Sequence, residues 1–466
     1  MTSSVQRARA AFARQAWGDA FSTFAAAAAR TSLDAADCER LAVCAYLVGA
    51  DDESASAWEA AHRAALESDD LAESARCAFW LAMCLMMRGQ MAQAGGWLTR
   101  VERIIETAEL DCAASGYLLI PGLLESLGGG DPITARDLAI QATELGVRFD
   151  DADLRAFGTL GHGQALIAMG STAGGVARLD EVIVSVAADE VGPITSGIVY
   201  CAVILECMRL FDVKRASEWT GALSSWCDAQ PDLVPYRGQC LVHRSQLLQA
   251  AGDWPDALTS AEAACQRLTD PPHPALGLAY YQQAELHRLV GAFEEADIEY
   301  RHASRNGHHP MPGLALLQLA RKDAAGAAAS IHRALQEAGR PLQRPALLSA
   351  AVDICLASGD LPAARAAADE LATIADASSS EVLSAKAARA IGAVLAREGD
   401  PAAGLADLQA AATAWQSLHR PYEAARTSVL RGLRAPHSET GPRLTWSSAT
   451  PRTRSSNLGR SPSWTA

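Results

Sequence analysis

The chain has 466 residues, 49% of them hydrophobic and 6% aromatic, with 97 Ala, 37 Arg and three Lys, at Lys214, Lys322 and Lys386. That is too long for one ordinary core, so it either divides into domains or forms a repeat array, and its small side chains suit closely packed helices better than a β-sandwich. The net charge is −14, made up of −17 over residues 1–434 and +3 over 435–466, and so acidic a body repels a phosphate backbone.

No apolar run reaches the length of a membrane span; Ile198 to Leu205 is typical. Residues 1–17 carry scattered charges and no apolar segment, so neither an export signal nor a membrane partner is expected. Eleven cysteines without a CxxC pair read as small buried hydrophobes in a reducing cytoplasm.

In chain order, a Gly, often followed by Asp, separates apolar runs: Gly18-Asp19, Gly49, Gly89, Gly130-Asp131, Gly170, Gly252-Asp253, Gly291, Gly359-Asp360 and Gly399-Asp400. Phe211-Asp212 and Lys322-Asp323 fill the two gaps, and the spacing stays near forty residues throughout. A period of twice a helix length predicts stacked helix-turn-helix pairs, with Gly as the left-handed cap and Asp opening the next helix. The residue five places after each turn should then face the first helix at closest approach. Those residues are Thr23, Ser54, Ala94, Ala135, Gly175, Ala216, Ala257, Ala296, Ala327, Ala364 and Gly404, and nine of the eleven are Ala or Gly.

Residues 75–87 and 198–208, apolar nearly all round, predict inner first helices; 253–264 predicts an amphipathic second helix, with Pro255 in its first turn. The fold expected is all-α, a solenoid of about eleven pairs over residues 1–434 that resembles tetratricopeptide repeats (TPR-like). Residues 422–433 look like one further first helix.

Motifs of catalysis are missing. No Lys follows a Gly, which excludes a GxxxxGK[ST] phosphate loop, and there is no HExxH or GxSxG. Gly161-His-Gly163 lacks a third glycine and marks tight packing or a kink; His308-His309 has no carboxylate or Cys at ligand spacing; Cys77 and Cys84 share a helix face and read as core. The expectation is a protein that is not an enzyme and uses no cofactor or metal.

One region is more polar and aromatic than its surroundings. It contains Trp219, Trp226, Pro231, Tyr236, Arg237, Gln239, His243 and Arg244, and the next first helix adds Tyr281, Gln282, Glu285 and His287. First helices line the concave side of a solenoid, so these side chains either converge on a protein partner or small-molecule inducer or tie repeats together by hydrogen bonds and salt bridges. Tyr236, Arg237, Gln239, His243, Tyr281, Gln282 and Glu285 are the candidate binding residues.

The stretch SEWTGALSSWCDAQPDLVPYRGQCLVHRSQLLQAAGDWPDAL (217–258) resembles the helical-repeat region of actinobacterial LuxR-type transcriptional regulators, as do ERLAVCAYLVG (39–49), RCAFWLAMCLMMRG (76–89) and AYYQQAELHRLVG (279–291). The likeness spans essentially residues 1–434. It implies a sensing or partner-binding region that, in the family, precedes a helix-turn-helix whose second helix enters the major groove. Larger relatives also carry an N-terminal nucleotide-binding domain, which has no counterpart here. No segment like the family's helix-turn-helix occurs in these 466 residues, so the resemblance implies a regulator truncated before its DNA reader and no specific DNA binding by this chain. A stand-alone scaffold is the alternative.

From residue 435 the composition changes: 20 of 32 residues are Ser, Thr, Pro or Arg. Such a tail reads as low-complexity disorder. It also fits a last repeat in a shifted reading frame. With G/C-rich codons, Ser438 to Gly441 then reads Gly-Asp-Arg, about forty residues after Gly399, where the repeat needs its next turn.

Overall fold

A computed structural model describes residues 4–230, 232–269, 273–339, 344–378 and 380–432, without the side chains of Pro235, Arg237 and Pro401. The expected tail, 435–466, lies outside the described residues. Within them are twenty-four helices and no strand.

The helices run in antiparallel pairs: α1 (Ser4–Ala13) with α2 (Trp17–Ala28), α3 (Ala35–Leu47) with α4 (Asp51–Glu67), and α5 (Leu71–Met87) with α6 (Met91–Thr107). The fourth pair has a broken first helix, α7 (Ala114–Tyr117) and α8 (Leu119–Gly129), before α9 (Pro132–Arg148). There follow α10 (Ala152–Ala168) with α11 (Thr172–Ala187), α12 (Pro193–Arg209) with α13 (Val213–Asp228), α14 (Pro235–Ala251) with α15 (Trp254–Thr269), and α16 (Leu276–Val290) with α17 (Phe293–Arg305). The last are α18 (Gly313–Ala320) with α19 (Ala324–Glu337), α20 (Arg344–Ser358) with α21 (Leu361–Asp376), and α22 (Glu381–Glu398) with α23 (Pro401–Ser417). A further first helix, α24 (Pro421–Gly432), covers the end of the stack. This is the eleven-pair TPR-like solenoid that the spacing predicts.

The turns show why the chain breaks where it does. Gly49, Gly89, Gly130, Gly170, Gly252, Gly291, Gly359 and Gly399 all have positive φ, and Phe211 (φ 57°) and Lys322 (φ 68°) take the same left-handed conformation in the two gaps. At Gly49 the next two N–H groups turn back onto the helix end, Gly49 N–H to Tyr46 O (3.0 Å) and Ala50 N–H to Ala45 O (2.8 Å). Asp131, Asp212, Asp323, Asp360 and Asp400 each accept a backbone N–H three residues on and open the second helix.

Gly18 is a correction. It lies inside α2, and the left-handed residue between α1 and α2 is Gln15 (φ 58°). Counting five from Gln15 reaches Ala20, which is fully buried, in place of the half-buried Thr23. With that change every close-approach position is buried: Ala20, Ser54, Ala94, Ala135, Gly175, Ala216, Ala257, Ala296, Ala327, Ala364 and Gly404.

At two of them only glycine fits. A Cβ on Gly175 would lie 2.6 Å from Gly163 O, and one on Gly404 would lie 2.7 Å from Gly392 O. Gly161 is packed as closely, with Leu123 Cδ2 2.4 Å from where its Cβ would be. Tight packing, not a phosphate loop, accounts for Gly161-His-Gly163.

First helices are the inner layer. Among them α5 and α12 each bury eleven residues, while α6 buries only Ala94 and Val101. Burial of an apolar side chain is worth roughly 1.5–3 kcal/mol, so the first helices carry most of the stabilisation.

The stack winds into a superhelix that meets itself every five pairs. Trp17 Nε1 donates to Gln230 Oε1 (2.8 Å), Gly18 N–H to Asp232 Oδ2 (3.1 Å) and Val234 N–H to Leu47 O (2.8 Å). A further revolution repeats the contact: Ser380 Oγ donates to Phe211 O (3.2 Å), and the Trp254 and Tyr422 rings meet edge to face at 5.2 Å.

Candidate functional site

The second revolution forms a cavity of about 400 Å³ that is partly open to solvent. First helices line it, each with one stripe of side chains at helical spacing. From α16 come Tyr281, Glu285 and Arg288; from α20, Ala346, Ser349, Ala350 and Asp353; from α22, Val382 and Lys386; and from α24, Tyr422, Glu423 and Arg426. Phe211, Trp415 and Arg420 complete the wall from turns and a second helix, because the superhelix brings α24 over α14.

Most of its charges are matched. Arg288 holds Glu285 through Nε (3.2 Å) and NH2 (2.7 Å), and the Tyr300 hydroxyl donates to the same carboxylate. Asp353 takes Arg389 at 2.8 Å and Arg426 at 2.6 Å, and Arg426 also pairs with Glu423 at 3.1 Å. Burial works against a charged Asp353, but Arg389 and Arg426 outweigh it and hold its carboxyl below the usual carboxylate range. Glu423 is lowered in the same way, against burial, by Arg426 and then Lys386.

Two cations are not matched. The Lys386 ammonium has no hydrogen bond or ion pair among the described residues; the Phe211 ring centroid lies 6.0 Å from it. The Arg420 guanidinium likewise has none. Burial pulls both below their ordinary pKa values, and the charge of Glu423 opposes it only in part.

The residues singled out in the sequence divide. Tyr281 and Glu285 are on the cavity wall, and Gln282 reaches it indirectly, donating through Nε2 to Oε1 of the lining residue Gln249 (2.7 Å). Tyr236, Gln239 and His243 do not line it. The buried Tyr236 hydroxyl donates to Ile194 O (2.8 Å), Gln239 Oε1 accepts from Cys201 Sγ (2.7 Å), and His243 is 2% exposed in the interior. The Arg237 side chain is outside the description.

Lys386, Arg420, Asp353 and Arg426 escaped the sequence reading because they lie far from the 219–287 region and from one another. The one available signal was Lys386, a lysine inside an alanine-rich helix of a chain that has only three.

Among the described residues no group of three or more His, Cys, Asp or Glu side chains is placed to hold a metal ion, and no helix is long and apolar enough to cross a membrane. All eleven cysteines are free thiols, ten of them buried.

No protein-family model and no curated protein matches the sequence. Among solved structures, the chain is similar to the APC/C hetero-tetramer Cut9-Hcn1 (13% identity, 91% of this chain and 94% of that one, TM-score 0.38). It is also similar to the human IFIT1 dimer with PPP-AAAA (14%, 87% and 92%, 0.42) and to yeast Tom70 (13%, 93% and 96%, 0.34). Likenesses this distant carry no argument about function, and the solenoid rests on the chain's own helices. It is a TPR-like helical-repeat solenoid, an architecture that presents an extended concave surface.

Proposed function

We propose that this chain is a non-enzymatic scaffold that holds a partner in the cavity wound by its second revolution. The observation that carries this is the wall itself: the first helices α16, α20, α22 and α24 turn polar and charged side chains toward one shared space. Tyr281 and Glu285 belong to that wall, and Gln282 reaches it through Gln249. Free, mostly buried cysteines favour a reducing cytoplasmic location.

The test is a blocked cavity. Ser349→Trp fills the space from α20, and its helicity and melting temperature show whether the fold is kept. A protein or small molecule retained from the host lysate by the wild type and lost from the blocked variant supports the reading. Equal retention by both moves binding off the cavity and overturns it.

A second reading, the sensory array of a LuxR-type regulator, is favoured by the wording of 39–49, 76–89, 217–258 and 279–291. Residues 1–434, at −17, would then bind no operator themselves, and DNA would be a partner only where a helix-turn-helix is joined to the repeats. Sequencing the gene across codons 425–470 tests it. A helix-turn-helix in the other frame supports this reading, and its absence ends it.

A further inference from the structure

The cavity is cationic in an acidic protein. At its wall or directly behind it stand five cations, Arg288, Lys386, Arg389, Arg420 and Arg426, against three carboxylates, Glu285, Asp353 and Glu423. The whole chain carries −14. Three of the arginines are used up on the three carboxylates. That leaves Lys386 and Arg420, both close enough to Glu423 to feel its charge, with no ion pair or side-chain hydrogen bond of their own.

An unpaired cation set back from water is destabilising unless something neutralises it. Many of its other arginines avoid this. Arg9 on Asp37, Arg76 on Glu39 and Glu73, Arg215 on Asp180 and Asp212, and Arg344 on Glu370 are all matched within the fold. Lys386 and Arg420, which have no such partner, face the same cavity. At about 400 Å³ it has the volume of roughly a dozen waters, which suits a ligand of on the order of ten to twenty heavy atoms. Trp415, Leu316 and Val382 supply an apolar side to the same space.

We propose that the cavity binds a small organic anion, its carboxylate or phosphate group on Lys386 and Arg420 and its apolar body against Trp415 and Leu316. The proposal rests on the reading of this cavity as the binding site and names the chemistry of what enters it. A planar guanidinium and an ammonium together give a fork and a point charge for one oxyanion. The matched pairs, Glu285–Arg288 and Asp353–Arg389–Arg426, hold the surrounding wall in place and add little net charge.

The test is isothermal titration of the full chain at pH 7.5 with phenyl phosphate, phenylacetate and, as the uncharged counterpart, benzyl alcohol. At least one anion should bind, benzyl alcohol should bind at least about tenfold more weakly, and the preferred anion names the head group. Lys386→Met and Arg420→Gln should each weaken the anion at least about tenfold, whereas Arg365→Gln, on the outer helix α21, should leave it unchanged. Lys386→Met should also raise the melting temperature of the unliganded chain, because it removes an unpaired cation, and this shows that the variant folds.

No binding of either anion to the wild type, equal binding of benzyl alcohol, or full binding by both cavity variants would overturn the proposal. Capture that Ser349→Trp blocks, without any anion binding, would leave the scaffold standing and end this inference. Anion binding without such capture would do the reverse.

Discussion

His243 lies inside α14, 2% exposed. Gln246 is near enough to favour the charged ring slightly, but neither ring nitrogen reaches hydrogen-bond geometry, and burial pushes the pKa down to about 4. An unfolded histidine titrates near 6.5, so above that pH the ring is neutral in both states and contributes nothing to pH dependence. As the pH falls from about 6.5 to about 4 the unfolded chain takes up the proton first, and stability is lost across that window, by about 3 kcal/mol in all. His273, also lowered to about 4 by burial, adds a second loss of similar size. Urea unfolding at pH 7.5 and pH 4.5 should therefore show the wild type weakening in acid. His243→Gln should remove part of that weakening, since His273, His62, His162 and His308 are lowered in the same direction, and an unchanged acid sensitivity would mean that the ring is not buried neutral. A core position of this kind explains why His243 looked functional in the sequence: composition shows a polar residue among apolar ones but not which side of the helix it occupies.

At the level of helices and turns, the sequence was legible wherever a glycine marked the corner, and also at Phe211 and Lys322, where only the period called for one. It failed at Gln15, because a left-handed residue with a side chain leaves no compositional trace and Gly18 lay three residues away. Register then had to come from packing: Ala20, not Thr23, faces the first helix. The same turns make a prediction with two signs. Lys322 is exposed at φ 68°, a conformation that costs an L-residue roughly 1–2 kcal/mol, so Lys322→Gly should stabilise the chain by up to about 1 kcal/mol. Gly399, at φ 98° with open space where a Cβ would go, should lose about 1–2 kcal/mol as Gly399→Ala, from backbone strain alone. Thermal melts of the two variants should move in opposite directions. A shift of the same sign in both would mean that backbone conformation is not what sets the stability of these corners.

For the whole molecule, what the sequence could not show is the return of the superhelix onto itself. The pitch is a sum of small rotations between neighbouring pairs, and no single residue encodes it; hence Tyr281 and Glu285 could be picked out as a polar stripe, but not their convergence with Lys386 and Arg420 across the cavity. In an open solenoid each repeat touches only its neighbours, and damage stays local. Here Trp17 and Gln230, 213 residues apart and both buried, share a hydrogen bond of 2.8 Å. Gln230→Ala would leave the buried indole N–H without its acceptor, at a cost of about 1–3 kcal/mol. The loss should appear in two places at once. Amide hydrogen exchange should quicken in α1 and α2 as well as at the end of α13, while α18 to α21, which do not touch this contact, keep their protection. Faster exchange confined to α13 and α14 would show that the first revolution does not close on the chain five pairs later, and the cavity of the second revolution, built by the same winding, would fall with it.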